Sequence, residues 1–127
     1  MKRRNVLDID LLDDAIFVTP KQNIGSLMDL ELRDEWAELN KVVDDNQVRY
    51  AIVDLAHLNY FGSSVLDWMI SLWKHVKLQN GGLALCNVSP VGMEILQTSN
   101  LDSRWTIAGT RAEALAKLRE NDPADSE

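Results

Sequence analysis

Cysteine, long apolar runs and clustered positive charge are all scarce in this chain of 127 residues, and each shortage excludes something. The one cysteine, Cys86, rules out an intramolecular disulfide and leaves a cysteine-built zinc site nearly as remote. No apolar stretch approaches the roughly 20 residues that cross a bilayer, so no membrane span is expected. Asp8, Asp10, Asp13 and Asp14 break up any signal-peptide core near the start, which makes a cytoplasmic protein the expectation. The longest basic run is Lys2-Arg3-Arg4, and 13 Lys+Arg face 20 Asp+Glu for a net charge of −7. Nucleic acid is therefore not an expected partner, because its phosphates demand clustered positive charge. A phosphate-cradling glycine loop and a dinucleotide fingerprint are also missing. His57 and His75 stand far apart with no cysteine between them, so no metal spacing is evident and no cofactor is implied.

What is present fits one globular domain, with 46% hydrophobic and 26% charged residues. A chain of this size buries roughly two thirds of its unfolded surface, enough for a core without metal or disulfide support. Residues 120–127 carry Glu120, Asp122, Asp125 and Glu127 around Pro123 with no Lys or Arg, and read as a disordered acidic tail. The folded domain is expected over residues 1–119.

Residues 6–12 and 15–19 alternate or cluster apolar residues around Asp13-Asp14, which reads as a half-exposed hairpin ended by Pro20. The four acids Asp8, Asp10, Asp13 and Asp14 read as a solvent-facing edge rather than a cation site. Ser26, with Asp29 three residues on, marks a helix start. Leu32, Trp36, Leu39 and Val43 then form a single stripe that ends near Asp44-Asp45-Asn46. Tyr50–Leu55 is apolar on both sides of the pleat, as in a central strand covered on both faces. A second helix is expected from Ser63 to about Gln79, stopped by Asn80-Gly81-Gly82. Leu83–Cys86 is a further interior strand, and Ser89-Pro90 opens a third helix that ends at Asn100. Trp105–Ile107 is a short last strand, and Thr110 with Glu113 forms a capping box before Leu115 and Leu118. The order β-β-α-β-α-β-α-β-α implies a single α/β domain, with a mixed but mostly parallel sheet of about five strands and about four helices.

Chemistry concentrates at Tyr60-Phe61-Gly62-Ser63-Ser64-Val65-Leu66, where an interior strand ends and a helix begins. In open α/β sheets this is the usual ligand crevice, and a helix N-terminus favours anions. Ser63 as a simple helix cap is the plainer alternative. A hydroxyl held there is also open to a kinase, and a phosphate would change the local charge by about −2. Between Val65 and Val76 of the second helix, Val65, Leu66, Trp68, Met69, Ile70, Leu72, Trp73 and Val76 leave Asp67, Ser71, Lys74 and His75 as a narrow polar face. The excess apolar surface meets either a neighbouring helix or a partner protein. A remote alternative is a small serine hydrolase pairing Ser63 with His57, although the glycines of a nucleophile elbow are missing.

Val53-Asp54-Leu55, Leu58 through Leu66, Asn80-Gly81-Gly82-Leu83, and Asn87-Val88-Ser89-Pro90 through Ser99-Asn100-Leu101 together resemble a STAS domain. The closest likeness is to bacterial anti-sigma-factor antagonists, and it runs from about Val6 to Leu118. In that family the strand-to-helix turn reads Asp-Ser-Ser-Gly-Leu. Its first serine is phosphorylated by a partner that is both anti-sigma factor and serine kinase, and a cognate phosphatase reverses the modification. The resemblance implies a non-enzymatic, phosphorylation-switched binding module that regulates transcription. It makes Ser63 the phospho-acceptor, with Ser64 as second choice. It assigns partner binding to Asn59, Tyr60, Phe61, Gly62, Ser63, Ser64, Val65 and Asp67. Gly62 stands where the family has aspartate, and Val65 where it has glycine. The same resemblance accommodates a non-switching STAS subunit of a stressosome-like or lipid-transport ATPase complex.

Overall fold

The computed structural model describes residues 7–21, 29–59 and 61–120, excluding the side chains of residues 29–33 and of Ser63. Two short strands, β1 (Leu7–Leu12) and β2 (Ala15–Pro20), pair antiparallel across the Asp13-Asp14 turn, where Asp13 takes a positive φ of 55°. There follow α1 (Asp29–Asp45), β3 (Tyr50–Asp54), α2 (Ser63–Leu78), β4 (Gly82–Cys86), α3 (Pro90–Thr98), β5 (Thr106–Ala108) and α4 (Arg111–Glu120). β2 to β5 pair in parallel, giving one five-stranded sheet in the order β1-β2-β3-β4-β5. The anticipated element order and mixed sheet are therefore present. α4 includes Glu120, one residue into the segment read as tail; residues 121–127, Ser26 and Tyr60 lie outside the described residues.

The sheet is covered on both sides, as the doubly apolar β3 required, and every β3 residue is buried. On one face Trp36, Leu39 and Val43 of α1 and Val65, Met69, Leu72 and Val76 of α2 pack on Val18, Val53 and Leu85. On the other, Ala114 and Leu118 of α4 pack on Tyr50, Ile52, Ala84 and Cys86. Part of the surplus apolar surface of α2 goes to its neighbour α1, while Trp73 meets Trp105 edge-to-face. Trp36 and Trp68 stack with centroids 4.1 Å apart and planes 12° from parallel. Two residues read as the polar face of α2 also turn toward α1, Ser71 bonding Asn40 (3.2 Å) and His75 meeting Asp44 (2.9 Å).

α2 begins at Ser63 and stops at Gln79 as expected, while the alternative that Ser63 caps it does not hold. Its N-cap is Gly62, in extended conformation, so Ser63 is the first helical residue and not the cap. At the other end the stop read at Asn80-Gly81-Gly82 is present, with Asn80 as its left-handed residue at φ 62°. Gly81 serves a different need, since a Cβ there would stand 1.5 Å from the Arg49 carbonyl oxygen. The predicted Ser89 cap does form, its Oγ accepting from the Gly92 N–H at 2.9 Å with Pro90 in the first turn.

Candidate functional site at the start of α2

The strands follow one another in chain order with no reversal, so the sheet has no switch-point crevice. What stands at the carboxyl end of β3 is instead a loop, described over residues 55–59 and 61–62, that feeds the N-terminus of α2. Three anchors hold it. Asp54 accepts from the Ala56 N–H at 3.0 Å, turning the chain as it leaves the strand. Ser89, besides capping α3, donates from Oγ to the Asn59 carbonyl at 2.6 Å. Phe61 is buried, and its ring packs where Gly92 leaves room, since a Cβ on Gly92 would lie 3.1 Å from Phe61 Cε2. Leu58 and Val65 fill the core on either side.

Of the residues that the resemblance assigns to a partner, Asn59, Ser64 and Asp67 are exposed and Gly62 is half-buried. Phe61 and Val65 point inward, 1% and 3% exposed, and shape the loop from beneath. The extra bulk of Val65 therefore goes into the core. Ser63 begins α2, and the helical ladder starts with the Leu66 N–H on the Gly62 carbonyl at 3.2 Å. The N–H groups of the first turn precede that bond, and no side chain caps them. This leaves the positive end of the helix dipole at the start of α2. No Lys or Arg occurs between Tyr50 and Trp73, so the chain supplies no nearby cation in sequence.

A buried polar network under this loop escaped the reading of the sequence. Asp54, only 7% exposed, accepts from Arg111 Nε at 2.8 Å and Asn87 Nδ2 at 2.9 Å, and Arg111 also donates to Thr19 Oγ1. Burial pushes the Asp54 carboxyl up. The hydrogen bonds from Asn87, Arg111 and the Ala56 N–H, with the Arg111 charge, outweigh that and hold it below the usual carboxylate range. The available signals were an acid closing an otherwise apolar strand and an asparagine, Asn87, directly after the interior strand that ends at Cys86. Arg111 is 57 residues from its acid, a separation no local pattern reveals.

Other candidate chemistry is not assembled. His57 is exposed. Burial, then the Asp54 charge, push the Cys86 thiol up to about 11, so it stays protonated and unreactive near neutrality. Among the described residues no group of His, Cys, Asp and Glu is placed to hold a metal. No helix among them is long and apolar enough to cross a membrane.

Comparison with known proteins agrees with this architecture. Residues 30–114 match the STAS domain family. BtrV of Bordetella bronchiseptica, which carries the name of an anti-sigma factor antagonist, is 30% identical over 83 residues, covering 65% of this chain and 71% of BtrV. A STAS-domain anti-sigma-factor antagonist protein from Planctomyces limnophilus superposes with a TM-score of 0.75 at 26% identity, covering 88% of this chain and 97% of its own. SpoIIAA in its unphosphorylated form shares the fold at 18% identity and a TM-score of 0.75, over 89% of this chain and 96% of that one. With the family match spanning more than half the chain, and with the same five-stranded, four-helix architecture in its solved relatives, this protein belongs to the STAS domain family.

Proposed function

We propose that this protein is an anti-sigma-factor antagonist, a binding module that docks on an anti-sigma factor with serine kinase activity and is switched by phosphorylation of Ser63, Ser64 being the second choice. The observation that carries the reading is a pair of serines in the first turn of α2, fed by a loop fixed from three sides. The chain itself performs no catalysis in this scheme. The partner transfers the γ-phosphoryl group of ATP to the serine oxygen, ADP leaves, and a phosphatase later returns the hydroxyl.

The switch is electrostatic and steric. With Ser63 neutral, Asn59, Gly62, Ser64 and Asp67 offer a largely uncharged contact with one acid at its edge. Phosphate adds about −2 at the helix end. The first-turn N–H groups tolerate it, but the stretch from Tyr50 to Trp73 brings no cation to neutralise it. A docked partner would have to desolvate that charge, at a cost exceeding what the contact returns. A coupling of roughly 1–3 kcal/mol corresponds to about 5–150-fold in affinity.

The test is incubation with the candidate kinase and ATP, mapping by mass spectrometry, and binding measurements on Ser63→Ala and Ser63→Asp. The proposal expects phosphate on Ser63 or Ser64, retained binding by Ser63→Ala and weakened binding by Ser63→Asp. An unmodified protein whose variants all bind alike contradicts it. Gly62 favours a second reading, because it leaves the helix end without the family's carboxylate: a non-switching STAS subunit of a stressosome-like or lipid-transport ATPase complex. Co-purification with such an assembly, indifferent to Ser63→Ala, distinguishes it.

A further inference from the structure

At the opposite end of the sheet, where β3, β4 and β5 begin, the described residues line a half-open cavity of about 440 Å³. This is within the size range of small-molecule sites. Its walls are aromatic: Tyr50 opens β3, Trp73 comes from the last turns of α2, and Trp105 precedes β5, with the two indoles edge-to-face at 6.0 Å. Gly81 and Gly82 form the floor near Arg49, and no bulkier residue fits at Gly81.

Two further observations give the cavity a chemical preference. Lys77 and Arg104 stand at its lining with no carboxylate in ion-pairing range among the described residues, although the whole chain is acidic. The Lys77 ammonium lies 4.6 Å from the centre of the Trp73 ring, holding charge over an aromatic wall. Aromatic side chains and two cations without an ion-pair partner among the described residues describe one class of occupant. We infer that this cavity is a binding site for a flat, largely apolar molecule carrying a single carboxylate, such as an aromatic acid. The ring lies against Trp73 and Trp105, and the carboxylate is held by Lys77 and Arg104. The carbonyl end of α2 is negative and does not contribute to holding an anion, so the two side chains carry that task. The site is independent of the proposed switch, which lies at the far end of α2.

Four tryptophans give four indole N–H signals in a 1H–15N spectrum, and this makes the test direct. Titration of the full-length protein with 1-naphthoate is expected to shift the Trp73 and Trp105 signals with a Kd below about 1 mM. The stacked pair Trp36 and Trp68 stays unmoved as an internal control. The neutral 1-naphthamide is expected to bind about tenfold more weakly, since it loses the charge-assisted bonds. Lys77→Met and Arg104→Gln, both at exposed positions, are each expected to weaken naphthoate binding several-fold while the rest of the spectrum is retained. Overturning results are a silent Trp105 at millimolar naphthoate, shifts spread equally over all four indoles, amide binding as tight as acid, or variants that bind like the parent.

Discussion

Replacing Gly62 by aspartate is expected to stabilise the protein, although it adds charge and removes a glycine at a strand-to-helix junction. Gly62 is the N-cap of α2, with φ −95° and ψ −169°, the extended conformation that capping side chains adopt. A Cβ at this position meets nothing within 4 Å, so the new side chain has space. Its carboxylate can accept from the uncapped N–H groups of Ser64 or Val65. Glycine is already a fair cap, so the capping gain over it is only a few tenths of a kcal/mol. Negative charge at the helix end contributes a further 0.3–1 kcal/mol or so. Removing glycine from the unfolded chain adds to the same side. The sum is about 1 kcal/mol, or roughly 3–5 °C in Tm for a domain of this size. Urea denaturation followed by far-UV circular dichroism measures it, with Gly62→Asn as the uncharged control. The acid variant's advantage over Gly62→Asn should shrink in high salt. It should also fade as pH falls, because the introduced carboxyl titrates lower when folded and its stabilisation exists only above that pKa. A destabilised Gly62→Asp protein, or one unaffected by pH and salt, would refute the assignment of Gly62 as an open cap.

Further outcomes follow from the loop anchors and the sheet ends. Asp54→Asn should cost about 1.5–3 kcal/mol near neutral pH, the range for hydrogen bonds to a charged group. Because the folded Asp54 pKa is depressed, its contribution is complete above the ordinary value of 3.8 and is lost as pH falls below that. Parent and variant stability curves should therefore converge in acid, and parallel curves would contradict the network. Gly81→Ala should destabilise by about 2 kcal/mol or more, since its Cβ collides with backbone; a urea midpoint equal to the parent's would show that the Gly81–Arg49 approach is wrong. Ser89→Ala should cost about 1 kcal/mol and speed amide exchange across residues 61–66, as both the α3 cap and the Asn59 tether are lost. Unchanged exchange there would mean that the tether does not hold the loop.

The chain wrote its regular elements plainly. The α1 stripe, the continuous apolar run of β3 and the Ser89-Pro90 start each rest on local spacing or local hydrogen bonding, and each stands where the pattern put it. Finer detail was lost where two candidates sat side by side. α2 starts at Ser63 as its pattern required, but that Gly62 and not Ser63 holds the cap position was not legible. At its end the Asn80-Gly81-Gly82 stop was legible, but not that Asn80 turns left-handed while Gly81 admits the Arg49 backbone, because both needs favour glycine. The fate of the surplus apolar surface on α2 depended on α1, and Asp54 on Arg111; both are contacts between distant segments. The serine pair was legible as a site because chain order alone set it at a strand-to-helix junction. That Phe61 and Val65 face the core was not, since an apolar residue in a loop reads equally as anchor or as contact.

The most direct measurement is calorimetric titration of the kinase-type anti-sigma factor with two forms of this protein, one unmodified and one carrying phosphate on Ser63. The account predicts that phosphate weakens binding at least about fivefold while the circular dichroism spectrum is unchanged. Equal affinity for the two forms, or tighter binding by the phosphorylated one, would contradict it.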